Sequence, residues 1–87
     1  VFLKIEGVVQ GVGFRYFTRQ NAQAIGLTGW VRNAPDGSVE TVLEGEEHEV
    51  QEMIKRLKQG PASSRVDNVD IQWEDYQGEF STFSVRF

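Results

Sequence analysis

The sequence predicts an α+β fold in which two helices cover one face of an antiparallel sheet. Three observations lead there. Apolar residues recur with a period of two in short segments near both ends of the chain, and with helical spacing in two longer segments between them. A strong turn signal, Ala34-Pro35-Asp36-Gly37, joins two central strand-like segments into a hairpin. The resulting order is β-α-β-β-α-β with a short strand appended, which is the split βαβ, or ferredoxin-like, pattern. Residues 1–87 read as one domain of that kind.

Each element has a local cause. In residues 1–8, VFLKIEGV, Val1, Leu3 and Ile5 point one way and Lys4 and Glu6 the other, as in a strand with one buried face. After the glycines at 7, 11 and 13, Phe14, Thr18, Ala22 and Ile25 form one helix face, widened by Phe17, and Gly26 ends that helix. Residues 28–33, TGWVRN, and 38–45, SVETVLEG, are the arms of the hairpin. In its turn, proline presets φ and glycine accepts the left-handed region. The second helix spans Glu46 to Gln59, with Val50, Met53, Ile54 and Leu57 on one face. Its acids come early and Lys55, Arg56 and Lys58 late, as the helix dipole prefers. Gly60-Pro61 stops it. VDNVDIQWEDY follows as a fourth strand, with Val69, Ile71 and Trp73 alternating. FSVRF is the last, with Phe83, Val85 and Phe87 alternating.

Composition narrows the chemistry. A chain of 87 residues buries only about 60–65% of its unfolded surface, so its core must be efficient. A net charge of −4 argues against a general nucleic-acid or anionic-membrane surface. Any anionic ligand must then be held by a local site. No apolar run is long enough to span a bilayer. The absence of cysteine removes disulfides, thiolate metal sites and cysteine nucleophiles, and fits a cytoplasmic protein. A single histidine, His48, removes histidine pairs.

The segment GVVQGVGFRYF, residues 7–17, then stands out. A glycine-rich turn between a strand and a helix leaves backbone N–H groups aimed at a common point, a cradle for anions that the helix dipole reinforces. Arg15 sits in the first turn of that helix, where a cation is disfavoured by about 0.3–1 kcal/mol. A phosphate held by the guanidinium and the N–H groups together would relieve that charge. The residues alone also fit a plain tight turn with Arg15 in solvent. The Walker phosphate loop and the dinucleotide fingerprint do not match, and neither does the RNA-recognition signature. Asn33 ends the second strand and is equally at home as the start of a turn. In a split βαβ sheet, however, the first two strands run parallel, which brings Asn33 to the sheet end where the glycine loop emerges. Trp30 and Trp73 read as sheet residues, and Asp36 as a turn residue. Glu44, Glu46, Glu47 and Glu49 read as a solvated strand end and helix start. Arg19 and Arg32 add local positive potential without an assigned chemistry.

VVQGVGFRYF, followed by GLTGWVRNAPDGSVE, resembles the acylphosphatases, and the resemblance extends through the final GEFSTFSVRF. It implies the same fold and the hydrolysis of the carboxyl–phosphate anhydride of small acyl phosphates, with neither metal nor other cofactor. It maps the phosphate-binding loop onto Gln10, Gly11, Val12, Gly13, Phe14 and Arg15, the substrate-binding arginine onto Arg15, and the catalytic asparagine onto Asn33. Val8 stands where many members carry a basic residue. The hydrogenase-maturation carbamoyltransferases begin with a similar domain, usually with proline after the loop arginine. Tyr16 in that place favours the small free-standing enzyme, acting as a monomer on an acyl phosphate and releasing inorganic phosphate. The rival from another class is a non-catalytic anion-binding module that keeps the loop without turnover.

The residue inventory agrees with that substrate class on independent grounds. Without thiol or histidine pair, the chain needs an easy leaving group. A carboxylate, whose acid has a pKa of about 4, departs without a proton. Backbone N–H groups and Arg15 would stabilise charge on the phosphoryl group, and the Asn33 amide would hold a water in line with phosphorus.

Overall fold

Sheet order in the computed structural model is β4-β1-β3-β2-β5. The structure describes residues 1–75 and 78–87. The strands are β1 (Phe2–Val8), β2 (Thr28–Asn33), β3 (Val39–Glu44), β4 (Arg65–Gln72) and β5 (Phe83–Arg86); the helices are α1 (Phe14–Ile25) and α2 (Glu47–Gln59). Every neighbouring pair among β1 to β4 is antiparallel. The terminal strand β5 extends the sheet parallel to β2, so the sheet as a whole is mixed.

Period two sorts the strands into two faces. Register places Ile5 beside Val39, and Leu3 and Val31 on either side of Thr41, with Val85 beyond Val31. This row faces the helices. Leu3, Ile5, Val31, Val39 and Leu43 are fully buried there, beneath Phe14 and Ala22 of α1 and Met53 and Leu57 of α2. α1 packs over β2, β3 and β5, and α2 over β4 and α1. The opposite face carries no helix and holds Lys4, Glu40, Arg32 and Arg86 in one row across the sheet. A buried Phe, Leu or Ile in the helix-facing layer contributes about 1.5–3 kcal/mol.

Two expectations shift in detail. The register between β1 and β4 slips between Glu6 and Gly7, leaving Asp67 unpaired. Val66 and Val69 therefore both pack on the core although they are three residues apart. The fourth strand ends at Gln72, and Trp73 lies beyond it, 54% exposed. At an edge strand the helices cover less of the face, so sequence alternation there does not enforce burial. Tyr76, the expected end of that strand, lies outside the described residues.

The fold brings three strand ends together. β1 and β2 both run antiparallel to β3, so they are parallel to each other, and β5 is parallel to β2. The C-terminal ends of β1, β2 and β5 thus share one end of the sheet, and α1 begins there.

Candidate active site

The link from β1 to α1 is the glycine loop. Gly11 and Gly13 both adopt the left-handed region, at φ of 76° and 78°, and Gly13 is the N-cap of α1. A methyl group placed on either glycine would point into open space. The glycines are therefore required by backbone conformation and by the room they leave above the loop, not by packing. No side chain caps the helix and no acid lies in its first turn. The N–H groups of Phe14, Arg15 and Tyr16 consequently have no intrahelical acceptor and carry the positive end of the helix dipole.

Gln10 locks this loop in place. Its side-chain amide donates to the carbonyl oxygens of Ala34 (2.8 Å) and Ser38 (2.9 Å), on the two sides of the β2–β3 turn. Ala34 directly follows Asn33. The loop and the asparagine are thereby held to each other by one side chain. Across the turn, Asp36 Oδ1 accepts from the Ser38 amide (3.0 Å) and hydroxyl (2.6 Å), and Asp36 Oδ2 pairs with Lys4 Nζ at 2.7 Å. The hydrogen bonds from Lys4 and Ser38 hold the Asp36 carboxyl well below its usual range, and the same contact raises Lys4.

Asn33 lies two residues beyond the buried Val31, on the helix-facing side of β2, opposite Val39. Arg15 rises from the first turn of α1, and its guanidinium rests over the Phe87 ring, 4.8 Å from the centroid. A cleft of about 610 Å³ opens between them, lined by Gly11, Gly13, Phe14, Arg15 and Asn33. Among the described residues no aspartate or glutamate lines it, which is a marked local contrast with a chain of net charge −4.

Of the residues singled out from sequence, Gln10 and Val12 do not line the cleft. Gln10 turns its side chain to the hairpin, and Val12 packs against the core. Arg32 pairs with Glu40 on the opposite face of the sheet (2.6 Å). His48, at the start of α2, is also absent from the cleft. Glu44 corrects the reading of a solvated strand end: it is only 8% exposed, and its carboxylate accepts from the backbone N–H of Phe80 (3.3 Å). Sequence reasoning missed Arg19 and the β5 end as parts of the cleft wall. Position i+4 from Arg15 was a usable signal for Arg19, whereas Phe87 reaches the site only through the parallel β2–β5 pairing.

The family model for acylphosphatase matches residues 1–85. The chain belongs to the acylphosphatase family. An acylphosphatase of Syntrophotalea carbinolica is 51% identical over 87 residues, covering 100% of this chain and 95% of the relative. One from Caldivirga maquilingensis is 54% identical over 86 residues, covering 95% of this chain and 88% of that one. The crystal structure of an acylphosphatase from Bacillus subtilis superposes with a TM-score of 0.96 at 35% identity, covering 99% of this chain and 96% of that one. The family function is hydrolysis of acyl phosphates, and this chain is an enzyme of that family.

Proposed function

We propose that the cleft between Arg15 and Asn33 hydrolyses the carboxyl–phosphate anhydride of small acyl phosphates by direct in-line attack of water. The observation that carries this reading is the meeting of a guanidinium, an uncapped helix N-terminus and a carboxamide in one cleft that, among the described residues, has no acidic side chain. The loop N–H groups of residues 10–15 and the Arg15 guanidinium hold the phosphoryl oxygens and stabilise the charge that spreads over them in the transition state. The Asn33 amide orients a water on the side of phosphorus away from the acyl oxygen. Water oxygen bonds to phosphorus as the phosphorus–acyl oxygen bond breaks. The carboxylate leaves with the bonding pair, and both water protons end on the released phosphate.

No proton donor is required, because a carboxylate with a conjugate acid of pKa about 4 is a stable leaving group. Arg15 and the backbone supply the positive charge that a metal ion would otherwise bring, so the route uses none. All these groups come from one chain, which suits a monomer. The absence of cysteine suits the cytoplasm. Among the described residues no helix is long and apolar enough to cross a membrane.

The test is hydrolysis of acetyl phosphate in excess chelator by the wild type, Arg15→Ala and Asn33→Ala, with folding checked by circular dichroism. Turnover should survive chelation and fall by at least about a hundredfold in each folded variant, as for loss of one transition-state donor. A folded wild type that binds phosphate without turnover would leave an anion-binding module instead.

A further inference from the structure

Arg19 lies one helical turn after Arg15 and lines the same cleft. Its Nε is buried and has no hydrogen-bond partner, and no carboxylate side chain among the described residues pairs with it. The guanidinium instead rests over the Tyr16 ring, 5.6 Å from the centroid. The tyrosine is held in turn, its hydroxyl accepting from Gln20 Nε2 at 2.7 Å. Among the described residues the cleft therefore contains two guanidinium groups without a carboxylate side-chain partner, each resting on an aromatic ring. A chain with 13 acids and nine lysines and arginines has carboxylates to spare, yet among the described residues no aspartate or glutamate is placed here. A buried donor left without a partner is unfavourable, and a ligand that drew the guanidinium onto an acceptor would relieve it.

We propose that Arg19 is a specificity-determining residue that receives a second anionic group at the acyl end of the substrate. The inference rests on the hydrolase reading above and adds the class of acyl group. Four helical residues rise about 6 Å, and their side chains on one face lie about 5–6 Å apart. In an extended four-carbon diacid acyl phosphate, five bonds separate phosphorus from the distal carboxyl carbon, again about 6 Å. With the phosphoryl group at Arg15, a distal carboxylate or phosphate falls at Arg19. The forked guanidinium suits either anion. The bond that breaks remains the phosphorus–acyl oxygen bond; Arg19 only selects what is attached to it.

Three substrates test this: succinyl phosphate, its counterpart without a distal charge, butyryl phosphate, and the analogue of succinyl phosphate with a phosphonate in place of the distal carboxylate. The wild type should favour the charged substrates over butyryl phosphate by about tenfold in kcat/KM, as one charge-assisted hydrogen bond allows. The preference should appear mainly in KM and weaken with added salt. Arg19→Met should erase it while leaving butyryl phosphate hydrolysis within about twofold, and Arg19→Lys should keep part of it. The charged substrate with the larger Arg19-dependent preference identifies the anion, carboxylate or phosphate. Equal loss on all three substrates in a folded Arg19→Met, or an unchanged preference, overturns the inference while the hydrolase reading stands. A wild type inactive on all three overturns both.

Discussion

Gln10 connects the glycine loop to the hairpin that carries Asn33, and it does so with a single carboxamide. Both amide hydrogens are used, on the Ala34 and Ser38 carbonyls. Gln10→Ala removes two hydrogen bonds but leaves each carbonyl a backbone donor, the Gly37 N–H on Ala34 and the Ala34 N–H on Ser38, so it should destabilise the fold by about 0.5–1.5 kcal/mol per lost bond. Gln10→Glu should do worse, because it sets a carboxylate against two carbonyl oxygens. In both variants kcat should fall more than phosphate affinity, since Arg15 is untouched while Asn33 loses its tie to the loop. Chemical denaturation together with kcat and KM on acetyl phosphate checks this; a Gln10→Glu protein as stable and active as the wild type would refute it. Gly13 makes a complementary case. A Cβ there meets nothing, but φ is 78°. Gly13→Ala should therefore cost about 1–2 kcal/mol through backbone strain alone, and Gly13→Asn less, because asparagine tolerates the left-handed region. The sequence pattern marked both residues as part of the loop. It could not show that the Gln10 side chain turns to the hairpin and does not line the cleft, because that depends on residues 24 and 28 positions away.

The hairpin of β2 and β3 is the element that carries Asn33, and its turn is fastened to β1 by charge. Asp36 accepts from Lys4 and Ser38, and these bonds lower its pKa from an ordinary 3.8. A carboxylate depressed in the folded state adds stability above its unfolded pKa and loses it as pH falls through the folded value. The stability gap between wild type and Asp36→Asn should thus be constant from neutral pH down to about pH 5 and shrink below it. Lys4 is raised by the same contact, so the fastening is also lost at the alkaline end, as pH climbs above the ordinary 10.5 of Lys4. Both side chains are more than a third exposed, so the gap should also narrow with salt. Urea denaturation at pH 7, 4.5 and 3 measures it; a gap that is unchanged at pH 3 would exclude the ion pair as the fastening. Elements were the most legible level in the sequence. Helical stripes over 14–25 and 47–59 face a single core, so their periodicity maps directly onto burial. The edge strand β4 was less legible, because a bulge opposite Gly7 shifts the inward phase between Val66 and Val69 and partial cover leaves Ile71 exposed.

At the level of the whole molecule, the candidate site exists only when the sheet is complete. Arg15, Asn33 and Phe87 come from the start of α1 and from the ends of β2 and β5, and the order β4-β1-β3-β2-β5 is what places them at one sheet end. The parallel relation of β1 and β2 was deducible from the order of elements, which is why Arg15 and Asn33 could be paired from sequence. The β5 contribution was not, because a four-residue terminal strand can join either edge. An unfolded chain holds these groups far apart and has no comparable affinity for phosphate, so inorganic phosphate should stabilise the native state by the full linkage amount. At ten times the dissociation constant that is about 1.4 kcal/mol, or a rise in Tm of about 5–10 °C for a domain of this size. Arg15→Ala should remove the rise. Asn33→Ala should keep most of it, because its assigned partner is the attacking water and not the phosphoryl group. Chloride at equal ionic strength should give little of the effect in any of the three proteins. A rise of equal size in Arg15→Ala would mean that phosphate stabilises the fold from elsewhere, and would move the anion site away from the glycine loop.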